Sequence, residues 1–447
     1  MTLSASSLAP AAGLAPAPAD DGAVPLAPGG VEATGLPREF MLEHALRIMF
    51  RRGADTVSAA CDAMRLSPAL VSDLFGMLRE DRLIVPLGQL HADMRAEMRF
   101  ELTEAGRARA SEALMRMDYA GPCPVTLDTF RQVVAAQSVG DHRIGRATLE
   151  AAFSNLVTPE GILDRLGPAV NSGRSILLYG PPGNGKSSYA HALAKAMEGG
   201  VHVPYALFID GEVIQLFDPS VHRLMPDDDP WTPADLIQAE APDLRFAHCI
   251  RPAVITGAEL TTGMLDLRYN PVSRTYQAPI HLKAINGVLI VDDLGRQRET
   301  PQAFINRLII PMEEGVDYFA LQSGQSFQAP FDTLMIFSTN IPPAELLDAA
   351  GLRRIYYKLL IERPGRDDFI KIFLRVCQRR GVEGAEVALA YVLGELYARH
   401  DIDFAAYHAV YLIDQAIAAC DYHGIPRGLL PEFLDAAWAN LSVIDSA

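Results

Sequence analysis

Polar and apolar positions divide the chain into five stretches. Residues 1–36 are rich in Ala, Pro and Gly, show no amphipathic period, and are expected to form a disordered tail. From 37 to 118 apolar residues recur at helical spacing: Leu42, Ala45, Leu46 and Met49, then Val57, Ala60, Cys61 and Met64, then Leu70, Val71, Leu74, Phe75 and Leu78. Ser67-Pro68 reads as the start of the third helix, since serine can cap an early N–H and proline has none to lose. Leu83-Ile84-Val85 and the alternating Met98, Phe100 and Leu102 predict two strands, and Thr103 opens another helix. Residues 119–155 read as a helical connector. Between 156 and 362 short apolar runs alternate with helical patterns, as in a parallel α/β sheet. Within that stretch Asp210-Gly211 predicts a hairpin turn, and Leu265 to Ala278 predicts a second hairpin turning at Asn270-Pro271. Residues 363–447 are helical, with stripes at Phe369, Ile372, Phe373 and Val376 and at Phe433, Leu434, Ala437, Trp438 and Leu441. They are expected to pack as a small α-helical lid.

Three helices, a two-stranded wing and a closing helix over 37–118 resemble a winged helix-turn-helix, and Leu102 to Arg107 is similar to the wing-to-helix step of that superfamily. The charge does not suit DNA. The segment holds 12 Arg, no Lys and 13 acidic residues, and its third helix would expose Ser72, Asp73, Gly76, Arg79 and Glu80. A groove reader needs a basic face to meet phosphates. Protein contact is therefore the favoured role of this segment and DNA the less favoured one.

A chain of 447 residues is expected to hold two or three domains. Its net charge of −16 argues against general affinity for nucleic acid or an anionic membrane. No apolar run reaches the ~18 residues a membrane span needs. No Lys or Arg precedes Arg38, so no secretory signal is expected. Cys61, Cys123, Cys249, Cys377 and Cys420 lack metal-type spacing and fit reduced thiols in a cytoplasm. Asp227-Asp228-Asp229 reads as a solvated loop rather than a metal site.

The chemistry gathers at Gly180-Pro181-Pro182-Gly183-Asn184-Gly185-Lys186-Ser187, between the apolar run Ile176–Tyr179 and a helical pattern from Ser188. Strand, glycine loop and helix in that order form a phosphate-binding loop. Its backbone N–H groups turn toward phosphate oxygens and the helix dipole adds to their pull. Lys186 is placed to neutralise β- and γ-phosphate charge, and Ser187 to give Mg²⁺ a hydroxyl. Val288-Leu289-Ile290-Val291 then predicts a buried strand ending in Asp292 and Asp293. Carboxylates there lie where open α/β sheets bind ligands. Asp292 would hold the Mg²⁺ shell and Asp293 would polarise the attacking water. A third strand, Leu334–Thr339, ends at Asn340, whose amide can hold that water or the γ-phosphate, or can simply form a turn.

With Leu352-Arg353-Arg354-Ile355 after them, these elements resemble an AAA+ ATPase over roughly residues 156–440. The resemblance implies a P-loop NTPase core with an α-helical lid and Mg-ATP bound between subunits of a homo-oligomeric ring, a hexamer being the family's usual form. It also implies that Asn340 is sensor 1 and that Arg353 or, preferably, Arg354 is an arginine finger acting on a neighbour's site; the bland alternative is a surface salt bridge. The inserted hairpins, Ala284–Gly287, Phe304 to Gly315 and the turn at Gly324 resemble the MoxR and enhancer-binding, helix-2-insert branch. The sequence is also similar to a bacterial group that fuses a winged helix to such a core, marked by Asp-Asp-Leu-Gly-Arg-Gln at 292–297. The Gly-Ala-Phe-Thr-Gly-Ala loop of sigma-54 activators is absent.

Two positions depart from that pattern. Asp293 stands where most AAA+ proteins carry Glu. His408 to Leu412 lacks the lid arginine known as sensor 2, and Arg427 is a poor substitute. The expected function is ATP-driven remodelling of a protein partner. The alternatives are an ATP-gated DNA-binding transcriptional regulator acting through the winged helix, and a nucleotide-binding scaffold that hydrolyses poorly.

Overall fold

A computed structural model describes residues 24–89, 97–197, 199–226, 241–400 and 402–445. Asp227-Asp228-Asp229 and most of the expected tail lie outside the described residues.

The central sheet is parallel throughout, in the spatial order Tyr357–Leu360, Ile176–Tyr179, Leu334–Thr339, Val288–Val291, Ala253–Thr256. The inner strands are covered on both faces and read as nearly continuous apolar runs; Ile176, Leu177 and Leu178 have no exposure at all, whereas the edge strand Ala253–Thr256 alternates exposed and buried. In chain order the strands run fifth, first, fourth, third, second. The direction of winding therefore reverses beside the first strand, where open α/β sheets place their ligands. This is a parallel α/β core of the P-loop kind, with the helices of residues 366–445 forming a separate apolar cluster beside it.

A second sheet of five strands is built mostly from insertions: Arg268–Asn270, Thr275–Gln277, Glu212–Gln215, Ala206–Ile209 and Val125–Thr126. Asp210 and Gly211, at φ 49° and 88°, make the tight turn expected between Ala206–Ile209 and Glu212–Gln215. The hairpin across Asn270-Pro271 also forms. Residues 119–155 are more than a helical connector. Val125–Thr126 forms the edge strand of this second sheet, and Phe130, Val133 and Val134 fill its core.

Residues 38–116 form three helices, an antiparallel pair and a closing helix, Arg38–Arg52, Val57–Met64, Pro68–Glu80, Ile84–Gln89, Met98–Leu102 and Glu104–Arg116. Thr56, Ser67 and Thr103 each cap a helix by accepting a backbone N–H. Their apolar core runs without a break into Tyr119, Cys123, Ala206 and Val213, and Phe40 meets Phe208 at 4.3 Å between ring centroids. The helical module is thus packed onto the second sheet. The expected tail is corrected at its end: Leu26 bridges Pro242, and Val31, Thr34 and Leu36 are buried. A bridge and a single 3-10 turn carry no amphipathic period, so pattern alone could not reveal them.

Candidate active site

Parallel register brings three strand ends together. Thr339 pairs with Tyr179 and Val291 with Phe337, so Gly180, Ser338 to Asn340 and Asp292 emerge side by side. Gly180 sits at φ 144°, and a Cβ there would lie 2.2 Å from the carbonyl oxygen of Ile361, so only glycine lets the loop leave the sheet. The helix Lys186–Ala196 then begins directly under the loop.

Lys186 is buried, and its Nζ donates to the carbonyls of Gly180 at 2.9 Å and Pro181 at 2.8 Å. Burial pushes the ammonium below the ordinary lysine range, against the pull of Asp293 and Asp292, whose charges both reach it. Ser187 Oγ donates to Asp292 Oδ1 at 2.9 Å, and Ser338 Oγ donates to the same oxygen. Asp293 holds a left-handed backbone at φ 51°, and its N–H points to Ser338 Oγ at 3.2 Å. Its exposed carboxylate lies 3.4 Å from the amide of Asn340, and both line a cleft of about 440 Å³ with Arg296 and Glu345. Asn184 is buried and ties the loop to itself through Pro181 and to the lid through the Ala406 N–H.

Three contributors were not legible from spacing. Ser338 shares the Asp292 oxygen with Ser187. Gln297 is buried, accepts the Gly295 N–H at 2.8 Å, and donates toward the backbone carbonyls of Gly257, Asp292 and Asp293 at 3.1–3.4 Å, bracing the acidic turn. Tyr407 packs on the phosphate loop: its N–H donates to Gly183 O at 2.9 Å, and a Cβ on Gly183 would fall 2.1 Å from its ring. Between loop and lid lies a cleft of about 400 Å³ lined by Gly185, Ser188, Tyr189, Arg375, Arg379 and Tyr407 among others. Arg375 and Arg379 donate to the carbonyls of Leu156 and Asn155 at its rim. The Asp-Asp-Leu-Gly-Arg-Gln run was the available clue to Gln297; nothing in the spacing pointed to Ser338 or Tyr407.

The two remaining arginines are not brought to this site. The carbonyl of Arg354 accepts from Ser175 at the opposite end of the first strand from Gly180. The Arg354 side chain is half-buried with Nε 2.8 Å from Glu313, and Arg353 is exposed. Arg427 pairs with Asp421 on the lid surface.

A serine hydroxyl and an aspartate on one point, with a second serine behind, form a hard oxygen set that suits Mg²⁺ completed by phosphate and water oxygens. Among the described residues no cluster of three or more His, Cys, Asp or Glu could hold a metal unaided, and no helix is long and apolar enough to cross a membrane.

A family model described as a domain of unknown function, DUF8689, matches residues 365–440, the helices beside the core. No curated protein matches. Among solved structures, the chain is similar to the RuvB Holliday junction branch migration motor of Thermotoga maritima, at 13% identity over 67% of this chain and 70% of that one, with a TM-score of 0.31. It is also similar to NtrX from Brucella abortus, at 12% identity over 65% of this chain and 56% of that one, with a TM-score of 0.38. With both scores under 0.5, the fold stands on the strand order and loop geometry instead.

Proposed function

We propose that the protein is an ATPase that binds and hydrolyses Mg-ATP between subunits of a homo-oligomeric ring and uses the motion to remodel a protein partner. The observation that carries this reading is the meeting of Ser187 with Asp292 beside the buried Lys186. The loop amides and Lys186 hold the β- and γ-phosphates. Ser187 and Asp292 hold Mg²⁺, which supplies positive charge to the phosphate oxygens. Asp293 and Asn340 position the attacking water. The cleft under Tyr407 takes the nucleoside, so lid and loop are bridged by what binds between them.

Arg354 and Arg353 lie at the wrong end of the sheet to serve their own chain's loop, which supports action on a neighbour. Lid motion reaches the helical module through the second sheet, onto which that module is packed. The outer face of the wing exposes Val85, Leu87 and Met98, and the third helix exposes both Asp73 and Arg79. An apolar wing beside mixed charge suits a protein surface better than a phosphate backbone.

Mixing two inactive chains tests the shared site. Lys186→Ala chains keep the arginines, and Arg353→Ala/Arg354→Ala chains keep the loop. Mixed rings should regain part of the parent's ATP turnover. No recovery at any ratio would contradict a site built between subunits.

A further inference from the structure

The helix that begins at Lys186 ends beside another cavity, of about 270 Å³, at the flank of the central sheet. Four basic side chains line it: His191 and Lys195 from that helix, Arg223, and Arg251 just after the Phe246–Ile250 strand. The rest of the wall is apolar, Ile255 included, and no described carboxylate lines it, in a chain whose net charge is −16.

Arg251 makes the cluster more than a solvated basic face. It is only 8% exposed. Its Nη1 donates to the Asn286 carbonyl and reaches that of Gln137 at 3.5 Å, while its Nε has no partner among the described residues. No described carboxylate forms an ion pair with it. Asp332, whose charge reaches it, is engaged by Ser138, the Val139 N–H and Asn286. Burial and the Arg251 charge together hold nearby His142 below the usual histidine range. Among the described residues this buried cation has no ion-pair partner, only the Asp332 carboxylate acting without a direct bond; a buried charge so weakly compensated is costly to keep, and an anion in the cavity would complete it. Two arginines, a lysine and a histidine from three segments line one cavity, a set of donors that suits a doubly charged tetrahedral group better than a single carboxylate.

We propose that this cavity binds a phosphate group of a small ligand, at a site separate from the phosphate loop. Its occupant would touch the far end of the helix that carries Lys186 and Ser187. It would also touch the Ala253–Thr256 strand, whose Thr256 carbonyl accepts the Asp292 N–H at 2.7 Å. The site is therefore one helix and one strand away from the acidic turn.

Pyrophosphate is a suitable probe, titrated calorimetrically into the full chain carrying Lys186→Ala, which weakens the loop's own grip. One saturable site should remain. Adding Lys195→Glu and Arg223→Glu, both exposed and tolerant of change, should weaken it about tenfold or more. The same pair placed on the otherwise unaltered chain should leave ATP turnover without pyrophosphate unchanged, which separates failure of this site from failure of the ATPase reading. Three results would overturn the proposal: no pyrophosphate binding to the Lys186→Ala chain at millimolar concentration, binding indifferent to the two charge reversals, or capture of a glutamate-rich peptide without any binding of pyrophosphate.

Discussion

Ser187 Oγ donates a 2.9 Å hydrogen bond to Asp292 Oδ1 across 105 positions of sequence. The two side chains bracket the point where Mg²⁺ would sit; Asp292 Oδ1 also accepts from Ser338 Oγ, which an asparagine oxygen can still do. Ser187→Ala and Asp292→Asn should each lower Mg²⁺-dependent phosphate release by roughly 10²-fold or more while leaving thermal unfolding nearly unchanged. Parallel turnover and melting measurements check this. A large drop in melting temperature with little loss of turnover would make the pair structural.

Asp293 occupies a left-handed backbone, φ 51°. Asparagine adopts that conformation readily, whereas most longer residues resist it. Asp293→Asn should therefore fold, bind ATP with near-parental affinity, and turn over about 10²-fold more slowly. A fluorescent ATP analogue measures the affinity and phosphate release the rate. Unchanged turnover would remove Asp293 from the chemistry.

Gln297 touches no substrate position and acts through the turn it braces. Gln297→Ala leaves the carbonyls of Asp292 and Asp293 without its amide and the Gly295 N–H without an acceptor. The expected result is a lower kcat, by about tenfold, with ATP affinity nearly intact. Gln297→Glu keeps the acceptor but not the donor and should fall between. Equal loss in affinity and rate would indicate general unfolding of the loop.

The lid contact has its own signature. Gly183→Ala would drive a methyl into the Tyr407 ring and force a side chain at φ 76°. It should weaken ATP binding about tenfold by pushing the lid from the loop. Tyr407→Ala removes the obstruction in the double variant and should restore part of that affinity, read by dissociation rate. No restoration would mean that backbone strain alone causes the loss.

The helical module carries a pH response at His44, which is wholly buried between Phe40 and Tyr119, with Nε2 3.1 Å from the Gly121 carbonyl. Burial, aided by the Arg47 charge, lowers its pKa from 6.5 to about 3. Above pH 6.5 the ring is neutral folded or unfolded, so it adds no slope. As the pH falls from 6.5 toward 3 only the unfolded chain takes the proton, so stability drops, by at most about 1.4 kcal/mol per pH unit. Urea unfolding at several pH values should show a shallower slope for His44→Gln.

The loop and the acidic strand were legible because their chemistry is written in contiguous residues with apolar flanks on either side. The winding order of the central sheet was not, although each of its central strands was, because parallel neighbours come from distant parts of the chain. Ser338 looked like one more polar residue at a strand tip until the register set it beside Asp292. Val125–Thr126 is too short for any period, and residues 24–36 fold against Pro242 and the helical module without a repeat of their own. The stripes at Leu42–Met49 and Phe433–Leu441 survive as packed helix faces because burying a large apolar side chain is worth roughly 1.5–3 kcal/mol.

Phosphate release from Mg-ATP by the purified full chain, beside the Lys186→Ala chain and beside the same protein with excess chelator, addresses the central claim most directly. A grip on triphosphate by residues 180–187 facing Asp292 gives turnover that both Lys186→Ala and removal of Mg²⁺ abolish. Equal turnover in all three samples, or none in any while the folded chain fails to bind ATP, would contradict it.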